Sequence, residues 1–392
     1  MTKEKTSLSF LVILSAFMAF TSLSTDIYLP AMPAMQHELG GRAELTVTGF
    51  VIGFALAQLI WGPISDHIGR KKPLFIGTFL FVIGSIGCAL SSSMEMVVLW
   101  RVFQAIGACT GPMISRAMIR DRYDSTQAAQ MLSTLMMIMA AAPIIGPLLG
   151  GGLLAIGSWR LIFWLMVVIG IIMFLSINLL PETLGETKRS HASLGNSFKN
   201  YAQLLASKKF MVYTMSVTFF YVAVYAFITG SSDIYINYFH VKPEVYSLLF
   251  GLNILGVSLM SMVNRRLVSR FDLSHLLALS TSLAFVFSLI LALMGVTHSF
   301  GLLGIVIPMF LVFSMNGIVA ACANAAALNT VSDEMAGSAA ALLGSLQYGS
   351  GVIPSILLAV FADKTAATMT IIIAISIFLS AVMAWLGKEK KA

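Results

Sequence analysis

Two ionisable residues in this chain stand where such residues are costly. Asp26 and Arg101 both lie inside long apolar runs. A charge at the centre of a bilayer costs about 3 kcal/mol on insertion scales, so a residue retained there marks a functional site by default. A carboxylate at that depth has the chemistry of a proton carrier. Burial disfavours its charged form and a nearby arginine favours it. A change in water access, or in the distance to Arg101, would then bind or release a proton. The competing reading is a permanent ion pair that only fixes helix packing. Asp233 offers a second acid, but its place near the end of a later run suits an exposed helix end better. The candidates for a substrate cavity are Tyr28, Gln104, Tyr225, Asp233, Asn253, Asn316 and Gln347. Polar groups of this kind either bind a solute or bond helix to helix, as Gln58, Asn324 and Tyr348 also could.

The rest of the chemistry-bearing residues point away from catalysis. Cys88, Cys109 and Cys322 sit singly in apolar runs, so neither a disulfide nor a metal site is expected. The histidines (His37, His67, His191, His240, His275 and His298) are scattered in or beside connectors and form no cluster with an acid. No G-x-x-x-x-G-K-[ST] phosphate loop occurs, so energy from ATP is not expected. An enzyme, a cofactor and a metal are all unexpected.

These residues must be positioned by membrane helices. Apolar residues make up 58% of the 392 and charged ones 10%, against roughly 25% in soluble domains. Runs such as 74–90 must be helical, because lipid offers no partner to an unpaired backbone group. The first run, from Leu8 to about Met35, is too long for the apolar core of a signal peptide and lacks a small-residue cleavage site. Twelve spans are expected, at roughly 8–34, 44–65, 74–92, 96–117, 126–155, 159–180, 210–233, 246–264, 275–296, 300–325, 336–361 and 366–387.

Charge alternates between the connectors. One set holds 19 basic residues, among them Lys3, Lys5, Arg70, Lys71, Lys72, Arg116, Arg120, Arg265 and Lys390; the other holds only Arg42, Arg160, Lys242 and Lys364. The positive-inside rule then places both termini in the cytoplasm. Asp333 and Glu334 dissent on the basic side, but acids weigh little in this rule. The net charge of +7 is mostly this topology signal, so nucleic acid is not an expected partner. By helical rise Asp26 lies ~27 Å from the basic edge and Arg101 ~12 Å below the opposite one. They share a depth and can pair if their helices are neighbours.

The chain also repeats itself. Thr25-Asp26-Ile27-Tyr28 matches Ser232-Asp233-Ile234-Tyr235, and Pro147 matches Pro354, both at an offset of 207 residues. The one long polar stretch divides the halves. The expected organisation is an N-terminal six-helix bundle over 1–181, a cytoplasmic linker over 182–209 and a C-terminal six-helix bundle over 210–392. The fold class is an all-α membrane protein of two pseudo-symmetric bundles. Such a duplication places a binding site between the halves, where rocking exposes it to each side in turn. A monomer is expected, because one chain supplies both halves.

Between the second and third spans stands Gly62-Pro63-Ile64-Ser65-Asp66-His67-Ile68-Gly69-Arg70-Lys71-Lys72. It resembles the G-x-x-x-D-x-x-G-R-[KR]-[KR] loop of the major facilitator superfamily. Glycine permits the tight hairpin, and Asp66 can sit near a helix N-terminus or pair with a basic residue of a neighbouring connector. Arg101-Val102-Phe103-Gln104-Ala105-Ile106-Gly107 is similar to a second motif of that superfamily, departing from it at Ala105. Pro143-Ile144-Ile145-Gly146-Pro147-Leu148-Leu149-Gly150-Gly151 resembles a third, associated with proton-coupled antiporters. Small residues there allow close helix packing, and proline kinks the helix. Asp26-Ile27-Tyr28-Leu29-Pro30-Ala31-Met32-Pro33 and Ser115-Arg116-Ala117-Met118-Ile119-Arg120-Asp121 look like signatures of the Bcr/CflA group of drug:proton antiporters. The C-terminal half matches by topology only.

The resemblance implies a multi-pass bacterial inner-membrane antiporter that exports small amphipathic drugs or toxic compounds against protons, by alternating access. It assigns proton coupling to Asp26 and Arg101. The conformational switch would comprise Gly62, Asp66, Gly69 and Arg70 with Pro143, Gly146, Pro147 and Gly150. Its partners are a drug or metabolite, protons and the bilayer. The alternative is a proton-coupled transporter of a sugar or other small metabolite.

Overall fold

The computed structural model describes residues 8–123, 125–189, 194–332, 335–361 and 365–388. Lys3, Lys5, Asp333, Glu334, Lys364, Lys390 and Lys391, which enter the charge alternation, lie outside them, as does His191. Among the described residues the ordered elements are all helices. Eleven are long and apolar enough to cross a membrane, and a twelfth, Ser125–Ile156, carries a shorter apolar portion.

Several spans are broken rather than straight. The first runs as α1 (Leu8–Asp26), a 3-10 turn (Leu29–Ala31) and α2 (Met32–Leu39). Pro30 and Pro33 carry no N–H, so the carbonyls of Asp26 and Leu29 lose their helical donors, and the helix ends where the proline-containing segment begins. The next spans are α3 (Glu44–Ile68) and α4 (Lys71–Leu90). The fourth is α5 (Met94–Ala108) continued after Cys109 as α6 (Thr110–Arg122). The half ends with α7 (Ser125–Ile156) and α8 (Arg160–Ser176).

A short helix, α9 (Leu194–Ala206), lies in the polar stretch between the halves. The second half opens with α10 (Lys208–Ser232), which loosens into a π-helical turn over Asp233–Tyr238. It continues as α11 (Pro243–Leu267), α12 (Leu273–Thr297), α13 (Gly301–Ser314) and α14 (Asn316–Leu328). It closes with α15 (Ala336–Gly349), α16 (Val352–Phe361) and α17 (Ala367–Gly387).

The interruptions repeat like the sequence. The break at Asp26–Tyr28 has its counterpart in the π turn from Asp233, and the break at Cys109 in the one at Met315. The packing repeats as well. Between the halves, α3 lies against α15 and α16, and α7 lies against α11. Spans two and eleven thus pair as spans eight and five do, which is the exchange that a two-fold axis through the bilayer would produce.

Glycine sets how closely α7 approaches the break in the first span. Gly146 faces the backbone of Asp26 and Ile27, and a Cβ on Gly150 would collide with the Ile27 carbonyl oxygen. A Cβ on Gly152 would meet open space. Gly150→Ala is therefore expected to destabilise by about 1–3 kcal/mol through overpacking. Gly152→Ala should be neutral or stabilising by up to about 1 kcal/mol, since alanine is the better helix former. Thermal unfolding of the two variants in detergent distinguishes them, and equal midpoints would contradict the assigned close approach.

Candidate functional site

Asp26 is the last residue of α1, only 6% exposed. The break just beyond it frees backbone carbonyls, and one of these, on Ser24, accepts from Arg101 Nη1 at 3.0 Å. A helix C-terminus is the negative end of its dipole, so a cation is favoured there. Arg101 itself is 0% exposed. Its guanidinium also donates to Gln104 Oε1 and lies between two rings, 4.3 Å from the centroid of Tyr28 and 4.2 Å from that of Phe50. Each such face contributes about 1–2 kcal/mol when desolvated. Its Nε is buried without a partner.

Behind Arg101 the network is closed. Gln104 Nε2 donates to Ser85 Oγ at 2.7 Å, and the Tyr28 and Thr46 hydroxyls share a hydrogen bond of 3.0 Å. Among the described residues no carboxylate lies within ion-pairing distance of Arg101. The expected direct pair with Asp26 is thus absent in this conformation, because the guanidinium is committed to Ser24, Gln104 and the rings. Asp26 and Arg101 are still close enough to interact electrostatically. The break likewise brings Asp26 within electrostatic range of Tyr225, Tyr246 and Tyr348 of the second half. Asp26 therefore stands between a buried cation in its own half and the tyrosines across the seam.

The Gly62–Arg70 segment, which is the end of α3 as far as Ile68 and the turn after it rather than a loop throughout, forms a compact ionic knot. Gly69 turns it at φ +93°, a left-handed conformation that favours glycine. Arg70 donates from Nε and Nη2 to the two oxygens of Asp121 at 2.7 and 3.2 Å, and from Nη1 to Asp66 at 2.6 Å and Ser65 at 2.8 Å. Burial opposes the Arg70 charge, but Asp121 and Asp66 outweigh it and hold the guanidinium above its ordinary value. Neither sequence expectation for Asp66 is met as stated: its partner is Arg70, one helical turn on, and not a residue of a neighbouring connector. The helix N-terminus is instead capped by Glu182, which accepts from the Arg70 and Lys71 amides at 2.9 to 3.1 Å. Asp121 and Glu182 were not among the expected site residues. Both are acids beside the basic connectors, and that juxtaposition was the available signal.

A cavity of ≈ 440 Å³ lies between the halves, at the end of the molecule that carries the Gly62–Arg70 segment. Its first-half wall includes Phe54, Gln58, Met113 and Arg116, and its second-half wall includes Ala341 and Tyr348. Helix α9 lies at the mouth, where Tyr201 donates to the Leu59 carbonyl at 3.0 Å and Asn200 to Ser338 at 3.4 Å. Toward the other end the halves meet. Ser247 of α11 donates to the Pro147 carbonyl of α7 at 2.7 Å, and Ser232 to Met32 Sδ at 3.7 Å. The Gly146-Pro147-Gly150 stretch is therefore seated on the first-span break by one face and on α11 by another.

The seven expected cavity residues divide into three groups, and none lines this volume. Tyr28 and Gln104 are locked into the Arg101 network of the first half. Asp233 bonds Asn237 at 2.5 Å in the π turn, far along the chain from the loop end, and Asn253 bonds its own helix at the Leu249 carbonyl. Tyr225, Asn316 and Gln347 gather around Tyr221, whose ring lies 6.3 Å from those of both Tyr225 and Tyr348. That cluster adjoins the cavity through Tyr348. Gln58 and Tyr348, marked in the sequence only as polar groups within spans, do line it. Arg116 was read as a topology charge. Its recurrence with Pro112, Met113 and Arg120 at three- and four-residue steps put all four on one helical face.

The model of the Major Facilitator Superfamily matches residues 12–355. The chain belongs to that superfamily. It is 33% identical to an uncharacterised MFS-type transporter, YdgK, of Bacillus subtilis, over 99% of this chain and 97% of that one. It is 26% identical to a bicyclomycin resistance protein homologue of Haemophilus influenzae, over 94% and 93%. The resemblance to the bicyclomycin-resistance group of drug:proton antiporters thus extends beyond the motifs to nearly the whole chain. Among solved structures, a D-xylose–proton symporter superposes with a TM-score of 0.75 at 14% identity, covering 97% of this chain and 99% of that one. At that identity the likeness concerns the fold. Superfamily members are transporters rather than enzymes, so the chain is a membrane transporter of small molecules.

Proposed function

We propose that the protein exports small amphipathic compounds in exchange for protons, with Asp26 as the proton-carrying group. The observation that carries this reading is the position of Asp26 at the end of α1, between buried Arg101 and the tyrosines of the other half. An ionised Asp26 is compensated by Arg101 and a protonated one is not needed to hold Arg101 in place, since Ser24, Gln104 and two rings already do so. Both protonation states are therefore compatible with an intact first half.

Coupling follows if proton and solute favour different states, since a ligand shifts an equilibrium only by differential affinity. In the conformation described, solute enters the cavity from the loop end, which the basic connectors assign to the cytoplasm. Rocking would break the Ser247–Pro147 contact and open the other end. The Arg70 knot and the glycine-packed α7 supply rigid elements on which the first half turns. One chain contains both halves, so a monomer in the bacterial inner membrane is the working unit of this reading.

Proteoliposomes with an imposed pH gradient provide the test. Amphipathic antibiotics and sugars are offered in parallel, and lumenal pH is followed with a trapped dye. Antibiotic-dependent proton flux opposite to solute flux is expected. Sugar-dependent flux in the same direction as the solute would replace this reading with proton-coupled sugar uptake.

A further inference from the structure

The cavity between the halves carries an unbalanced charge that the export reading does not require. Three arginines line it, Arg70, Arg116 and Arg120, with one carboxylate, Asp66. Arg70 is engaged by Asp66 and Asp121. Among the described residues Arg116 and Arg120 have no carboxylate within 4.0 Å. They stand one helical turn apart on α6, Arg120 toward the mouth and Arg116 deeper. The Nε of Arg116 is buried and without a hydrogen-bond partner, and its charge reaches Tyr348 on the opposite wall. Gln58 Oε1, also on the lining, is a buried acceptor without a donor.

The wall around these groups is aromatic and continuous. The rings of Phe54 and Tyr348 lie 4.6 Å apart across the seam between the halves, and Tyr348 leads on to Tyr221. A flat apolar body fits against such rings. The unsatisfied guanidinium calls for an oxyanion, for which arginine's fork is the matched donor.

We propose that the cavity selects amphipathic compounds bearing an aromatic body and an anionic oxygen group, such as a carboxylate or sulfonate. Arg116 holds that group, and Gln58 takes an N–H or O–H beside it. Lipophilic cations are rejected, because the lining offers them no free carboxylate. This inference rests on the export reading for the cavity's role, but its test measures binding alone. A protein that binds as stated and shows no proton flux would overturn the export reading and leave the selectivity standing.

Purified full-length protein in a neutral detergent is titrated calorimetrically with 2-naphthoate, 2-naphthalenesulfonate and 2-naphthyltrimethylammonium. The two anions are expected to bind at least about tenfold more tightly than the cation. Arg116→Gln should bring the three within about twofold of one another, and Arg116→Lys should preserve the order. Equal or tighter binding of the cation by the unaltered protein would overturn the proposal, as would no detectable binding of either anion. An unchanged ratio in a folded Arg116→Gln variant would move the selectivity elsewhere. The ratio in the unaltered protein decides the matter even if that variant does not fold.

Discussion

Asp26→Asn is expected to abolish gradient-driven transport while leaving the protein folded and able to exchange solute. Asparagine has nearly the shape of the carboxylate but cannot carry a proton. Asp26 makes no ion pair within 4.0 Å among the described residues, so its neutralisation breaks no salt bridge. The side chain is nearly enclosed, between the α7 glycines and the tyrosines across the seam. The amide enters that space without a volume change, and stability should shift by less than about 1 kcal/mol. In proteoliposomes, solute movement driven by a pH gradient should fall to the level of empty vesicles. Counterflow, in which labelled solute exchanges for unlabelled solute without net proton movement, should persist. Loss of both together would identify Asp26 as a solute-binding or structural residue instead.

Arg101 is the second large effect, and here stability and coupling should fail together. Truncation to alanine empties the slot between Tyr28 and Phe50, leaves the Ser24 carbonyl without its donor and frees the Gln104 amide. Loss of a buried, hydrogen-bonded cation with its packing costs about 3–5 kcal/mol. Arg101→Lys separates charge from geometry. A lysine retains the positive charge near Asp26, but a single ammonium cannot reach Ser24 and Gln104 while filling the space between two rings. Arg101→Lys is expected to unfold at a temperature between those of the parent and Arg101→Ala, and to lose about tenfold or more of gradient-driven transport. Melting curves in detergent and transport by the same preparations check this. Full activity of Arg101→Lys would show that only charge is needed.

The sequence carried the elements well because hydropathy and charge alternation act over twenty residues at a time. It carried the shared level of Asp26 and Arg101 for the same reason, since helical rise converts position into height and Arg101 reaches Ser24. What it could not carry was direction around the helix. Tyr28 and Gln104 are polar residues in spans, like Gln58 and Tyr348, yet the first two turn into the Arg101 network and the last two into the cavity. Only packing between spans decides that. The Asp26–Arg101 pair was legible as a neighbourhood and not as a bond. The carbonyl freed at Ser24, which takes the guanidinium, exists because the span breaks at Asp26, and Pro30 and Pro33 were visible signs of that break. Glu182 was assigned to the linker by its polarity, whereas it caps α4 of the first half.

The central claim is that solute and proton favour different states and that Asp26 carries the proton. It is tested most directly by adding solute to the purified protein in weakly buffered detergent solution and reading proton release with an indicator dye. Solute binding to the protonated protein should release protons in proportion to the solute bound, and Asp26→Asn should bind solute and release none. Solute binding without proton release by the unaltered protein, or release undiminished in Asp26→Asn, would contradict the account.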